Sequence, residues 1–137
     1  MAAGKSEDLG KLLLRISLGL VLCFHGYFKI VHGVEWLKGP LGEVGLPGFL
    51  AYGVYLGEFV GPLMVIAGFR ARIGACLVAI NMVMAIFLAH RNQIFSIKEA
   101  GGGWAIELDA LLLLGALALF FLGGGKFGIT GGKNAWD

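Results

Sequence analysis

Four apolar runs, each long enough to cross a lipid bilayer, constrain this chain more than any other feature. They are Leu12–Val31, Phe49–Phe69, Ile73–Ala89 and Trp104–Leu122, with lengths of 20, 21, 17 and 19 residues. A transmembrane helix needs about 20 mostly apolar residues, with a usual range of roughly 17–25. The runs take 77 of 137 residues, 58% of side chains belong to the AVILMFWYC set, and 24 residues are glycine. Soluble domains hold roughly 45–50% apolar residues with glycine included, and a body this small could not hide such an excess from water. In hydrocarbon a backbone must satisfy its own hydrogen bonds, so each run is read as a helix. The sequence predicts an all-α fold: one domain over residues 1–137, a four-helix transmembrane bundle embedded in the lipid bilayer.

Charge adds orientation and excludes partners. The net charge of +2 comes without a basic stripe, so nucleic acid is not expected. An even number of spans puts both termini on one side. Lys5, Lys11, Arg15, Arg70, Arg72, Lys126 and Lys133 flank that side, against Lys29, Lys38, Arg91 and Lys98 on the other. Seven against four places both termini in the cytoplasm of a multi-pass protein of a cell (inner) membrane. The first run carries His25 and Lys29 where a cleaved signal would show small residues, so it is read as a retained helix. Ser6, followed by Glu7 and Asp8, is expected to cap it. Residues Gly68–Arg72 form a tight hairpin, and Gly101-Gly102-Gly103 reads as a hinge because no Lys-Ser/Thr follows it.

Gly53, Gly57 and Gly61 in the second run have the spacing that brings helix backbones close. They predict tight packing inside the bundle or, on the same face, a homo-oligomer seam. Pro62 removes a backbone donor and predicts a kink, with a freed carbonyl that needs a partner or faces a cavity.

Ionisable groups inside spans cost about 2.5–3.5 kcal/mol each at the bilayer centre, so they face the interior and mark function. The candidates are Arg15, His25, Lys29, Glu58, Asn81, His90, Glu107 and Asp109. At about 1.5 Å per residue all but Arg15 and the mid-span Asn81 fall in the outer half, while Arg15 is expected to snorkel to lipid headgroups. Lys29 and Glu107 come at similar depths and are expected to pair, which leaves Glu58 facing His25 as a protonatable group suited to proton-coupled redox chemistry. The competing reading is a buried ion pair that fixes helix register. His25, Glu58 and Asp109 have the ligand types for a metal, but no spacing motif supports one. Cys23 and Cys76 lie at different depths and are read as packing residues.

These residues resemble the DoxX family of small four-helix membrane proteins over roughly residues 9 to 127. The resemblance rests on Leu14-Arg15, His25-Gly26-x-x-Lys29, Gly45-Leu46-Pro47, Glu58 with Gly57 and Gly61, and Gly68-Phe69-x-x-Arg72. Asn81-Met82 with Ala85, then His90, then Gly101-Gly102-Gly103 with Glu107 complete it. It implies a membrane component of an oxidoreductase system, such as a thiosulfate:quinone or thiol-stress complex, whose electron donor comes from a partner chain. His25 and Glu58 are then the expected catalytic residues. His25, Lys29, Asn81, His90 and Glu107 are the expected ligand-binding residues, with a quinone as the cofactor. Two other classes stay open: a non-catalytic assembly or scaffold protein packing through its glycine face, and a small-molecule carrier or channel.

Overall fold

In the computed structural model, which describes residues 3–137, the first run lies within one continuous helix, α1 (Ala3–His32). Its 30 residues reach about 45 Å, so the polar first turns project beyond the apolar run. Ser6 therefore lies inside the helix and does not cap it. The acids after it are used sideways instead. Glu7 pairs with Lys11 at 2.6 Å, and an Asp8 oxygen accepts the Lys126 backbone N–H at 3.3 Å.

The stretch between the first two runs folds into a cap. It holds a 3-10 turn (Glu35–Leu37), the short helix α2 (Lys38–Glu43) and a 3-10 segment (Gly48–Gly53). Val34, Leu41 and Ala51 are its buried centre, packed against Tyr55, Met84 and Leu88 of the spans beneath. This end of the molecule is the cap end; the opposite one, at Gly68–Arg72, is the hairpin end.

The second span runs unbroken from Gly48 to Ala67 but is not a uniform helix. Its 3-10 start gives way to a π turn (Leu56–Val60) and then to α3 (Gly61–Ala67). Pro62 has no N–H, and one residue before it the Gly61 N–H reaches back five residues to the Leu56 carbonyl. The helix opens by one residue where the proline denies it a donor. A Cβ at Gly53 would meet nothing within 4 Å, whereas one at Gly57 would crowd Asn81 and one at Gly61 would lie 3.0 Å from the Gly74 carbonyl oxygen. Gly57 and Gly61 thus pack against the third span of their own chain, as tight packing inside the bundle requires.

Gly68 ends α3 in the left-handed conformation (φ 64°), and the chain turns directly into α4 (Ala71–Ala85). A second π turn (Ile86–His90) and a 3-10 turn (Arg91–Gln93) extend the third span to Gln93. The next loop folds back on itself, closed by Lys98 N–H to Gly103 O at 2.7 Å and Ala105 N–H to Ser96 O at 2.9 Å. Gly101 and Gly102, both at positive φ, make its turn, so the glycine triplet is a turn rather than an open hinge.

The last helix, α5 (Glu107–Leu122), has 16 residues, about 24 Å, and packs chiefly along α4. Among the described residues three helices are long and apolar enough to cross a membrane; α5 is shorter than these. Leu22, Val65, Val78, Leu112, Ala116 and Leu119 join all the long elements in one core. The outward faces stay apolar too, with Phe24, Ile80, Leu111 and Phe121 exposed, as a lipid-facing surface requires.

At the hairpin end Arg15 does not snorkel. It is 1% exposed, and its guanidinium donates to the carbonyls of Val65 (2.8 Å), Ile66 (2.7 Å), Gly124 (2.8 Å) and Phe127 (3.0 Å). Those carbonyls belong to the end of α3 and to the glycine-rich segment after α5. Thr130 Oγ1 donates to the Gly68 carbonyl at 2.7 Å and fastens the same segment to the hairpin.

Candidate functional site

Beneath the cap lies a cavity of about 660 Å³, within the range of small-molecule sites. Trp36, Leu41 and Leu50 roof it, and Leu22, Leu77 and Leu112 form part of its apolar wall. Six polar side chains line it: His25, Lys29, Glu58, Asn81, His90 and Asp109.

Glu58 is the most deeply held, at 4% exposure. Lys29 donates to its Oε2, and Asn81 Nδ2 donates to its Oε1 at 3.1 Å, so both carboxylate oxygens are engaged. Two glycines make this possible. A Cβ at Gly26 would lie 2.8 Å from the Glu58 carbonyl carbon, and one at Gly57 would lie 2.9 Å from Asn81 Oδ1. Small residues on α1 and the π turn therefore let three polar groups from three helices converge. Tyr55, whose hydroxyl donates to the Lys29 carbonyl at 3.1 Å, ties α1 to the same turn.

The expected pairing of Lys29 with Glu107 is corrected by this geometry. Glu107 is half exposed, stands at the start of α5 outside the cavity, and binds Lys98 at 2.6 Å. It is no part of the cavity wall. Asp109, one half-turn further in, takes the place that Glu107 was expected to fill. Its Oδ2 lies 2.6 Å from His90 Nδ1. Close as they are, the two atoms do not meet hydrogen-bond geometry. The two π turns carry Glu58 and His90 respectively, and both border the cavity. Such one-residue openings displace a side chain from the face that a regular helix would give it.

His25 lines the cavity yet is itself exposed, and it makes no contact with Glu58 of the kind Lys29 makes. Among the described residues no three His, Cys, Asp or Glu side chains converge tightly enough to hold a metal ion. Cys23 and Cys76 are free thiols.

Outside the spans, the cap is latched by Glu35. Lys38 lies 2.5 Å from its Oε2 and the Tyr52 hydroxyl donates to Oε1 at 2.8 Å. These two hydrogen bonds, that of Lys38 first, hold the Glu35 carboxyl below its ordinary range. A carboxyl with a depressed pKa stabilises the state that depresses it above its ordinary pKa, and that contribution disappears as pH falls through the lowered value. Hydrogen exchange over 38–53 is expected to be slow at neutral pH and to rise, once corrected for intrinsic exchange, below about pH 4. Tyr52→Phe should move the rise to higher pH. An unchanged profile in that variant would remove the latch.

An all-helical body with apolar outer faces and a polar-lined cavity at one end defines an integral membrane protein with an internal cavity. The chain belongs to the DoxX family, whose model matches residues 10–91. That stretch holds His25, Lys29, Glu58, Asn81 and His90 and ends before Asp109. A Bacillus subtilis (strain 168) protein named "Putative oxidoreductase CatD" is 34% identical over 119 residues, covering 87% of this chain and 83% of the relative. "Inner membrane protein YqjF" of Escherichia coli (strain K12) is 34% identical over 88 residues, covering 64% of this chain and 67% of that one. No solved structure matches the chain.

Proposed function

We propose that this chain is the membrane subunit of a quinone-linked oxidoreductase system, with the cavity as the site for the quinone ring and a partner chain as the electron donor. The observation that carries this reading is the cavity itself: an apolar chamber of about 660 Å³ with a few convergent polar groups at one side. A quinone offers two carbonyl acceptors on a flat apolar ring. After binding Glu58, Lys29 retains two N–H groups and Asn81 one, and His25 adds an imidazole edge. These donors fit the acceptors. A bound quinone supplies the electron acceptor. In this reading Glu58 is the carboxylate that exchanges a proton with the ring, held in place by Lys29 and with its plane fixed by Asn81. His90 and Asp109 add a second polar pair to the lining.

The name of the Bacillus relative supports the oxidoreductase part of the reading, and that of the Escherichia relative supports an inner membrane location. In this reading α5 is the fourth crossing and both termini are cytoplasmic. With Arg15 and Lys29 both drawn into the interior, the flanking cations that remain are six at the hairpin end against three at the cap end, which keeps the same orientation.

Native mass spectrometry of the protein released gently from its own membranes tests this. The wild type should retain a quinone mass, and Asn81→Leu should reduce retention about tenfold, the equivalent of one hydrogen bond to a polar head. Wild-type protein that carries no quinone, even when supplied with one in nanodiscs, would end the proposal.

A further inference from the structure

We infer that the cavity is loaded sideways from the bilayer, through a gap between α1 and α5 at the cap end, and that its ligand is an amphiphile whose hydrocarbon tail stays in that gap. This rests on the quinone-site reading for the polar head and adds where the rest of the molecule lies.

A groove of about 270 Å³, lined by Phe24, His25, Phe28 and Lys29, runs on α1 beside the cavity. His25 and Lys29 line both spaces. Two side chains are therefore all that these walls share, and Lys29 is already drawn inward onto Glu58. That leaves His25, exposed and without a hydrogen-bond partner among the described residues, as the movable part of the partition.

The position of this partition follows from helix geometry. Leu18 packs against α5, where a Cβ at Gly115 would lie 3.0 Å from its Cδ1. His25 comes two turns later on the same side of α1. Phe28 and then Phe24 continue round the helix, away from the core and toward lipid. The groove thus opens on the α1–α5 seam. Near Gly115 the two helices are in close contact. Two turns further toward the cap end, α5 is at its first residues and Leu108 is 43% exposed, so the seam is loose there. The short length of α5 leaves the gap beside a 30-residue α1.

The lining of the gap is suited to hydrocarbon rather than to a hydrated solute. Phe24 and Phe28 are 75% and 54% exposed, and the Phe28 ring is held by stacking on His32 with centroids 4.1 Å apart. A water-soluble substrate would instead have to pass the apolar cap of Trp36, Leu41 and Leu50.

The test uses the wild-type chain in nanodiscs and a decyl-tailed benzoquinone carrying a diazirine at the tail end. After photolysis, label is mapped by peptide mass spectrometry with and without excess unlabelled decyl benzoquinone. Label on α1 around Phe24–Phe28 and on α5 around Leu108–Leu111, lost on competition, is the expected result. Competed label on the cap, residues 35–53, or on the seam between the second and third spans would overturn the lateral route while leaving the quinone site standing. Label that is nowhere reduced by competitor would overturn both.

Discussion

Arg15→Ala is expected to destabilise the fold by about 3–5 kcal/mol, because it leaves buried carbonyls without a donor at roughly 1–3 kcal/mol each. The guanidinium holds four backbone carbonyls from two segments far apart in sequence, and no carboxylate shares the site. Charge-assisted hydrogen bonds contribute roughly 1.5–3 kcal/mol each, and the total falls short of four times that because water reaches the freed carbonyls at the hairpin end. Arg15→Lys should recover less than half. One ammonium cannot present donors to carbonyls spread around a planar fork. The start of the glycine-rich segment after α5 should loosen first, since Arg15 holds Gly124 and Phe127, whereas Ile129, Thr130 and the last residues keep their own hydrogen bonds to the hairpin and to Arg72. Unfolding in mixed micelles measures the loss of stability. Limited trypsin digestion reads the local effect, as faster cleavage at Lys126 and Lys133. A variant as stable and as resistant as the wild type would show the clamp to be dispensable.

The polar interior was legible to different depths in the sequence. Apolar run length placed the helices, and the cost of burying charge singled out His25, Lys29, Glu58, Asn81 and His90, all of which the structure brings to one cavity. Partners were harder to read. Depth counted along each run assumes that all runs end in one plane, but the Gly48–Gly53 segment packs on α2 as part of the cap, so the second run starts above the end of α1. That error set Lys29 against Glu107 instead of Glu58. It also treated residues 104–106 as helix, although α5 begins only at Glu107 and leaves that carboxylate outside. A break in the regular helix at Pro62 was readable from the missing N–H; that it takes the form of a π turn was not, because the same residues could have relaxed by bending. Arg15 was misread for a different reason. Its acceptors are backbone carbonyls, and every sequence has those everywhere.

Lys29 and Glu58 allow the structural and functional readings of the cavity to be separated. Glu58 is buried, Lys29 is largely so, and each is the other's charge partner, so removing one leaves an uncompensated group in an apolar wall. Lys29→Met and Glu58→Met are each expected to cost about 3–5 kcal/mol, whereas the double replacement should lie within about 1 kcal/mol of wild type or above it, since apolar side chains of similar volume often replace a buried pair without loss. Stability alone would then be restored by removing both charges. Quinone retention should not be. The double variant lacks the donor at Lys29 and the carboxylate at Glu58, so it should fold and yet bind no quinone. The two readouts must diverge for the functional reading to hold. If the stable double variant retains quinone as the wild type does, the pair fixes helix register and the cavity's chemistry belongs to His25, His90 and Asp109 instead.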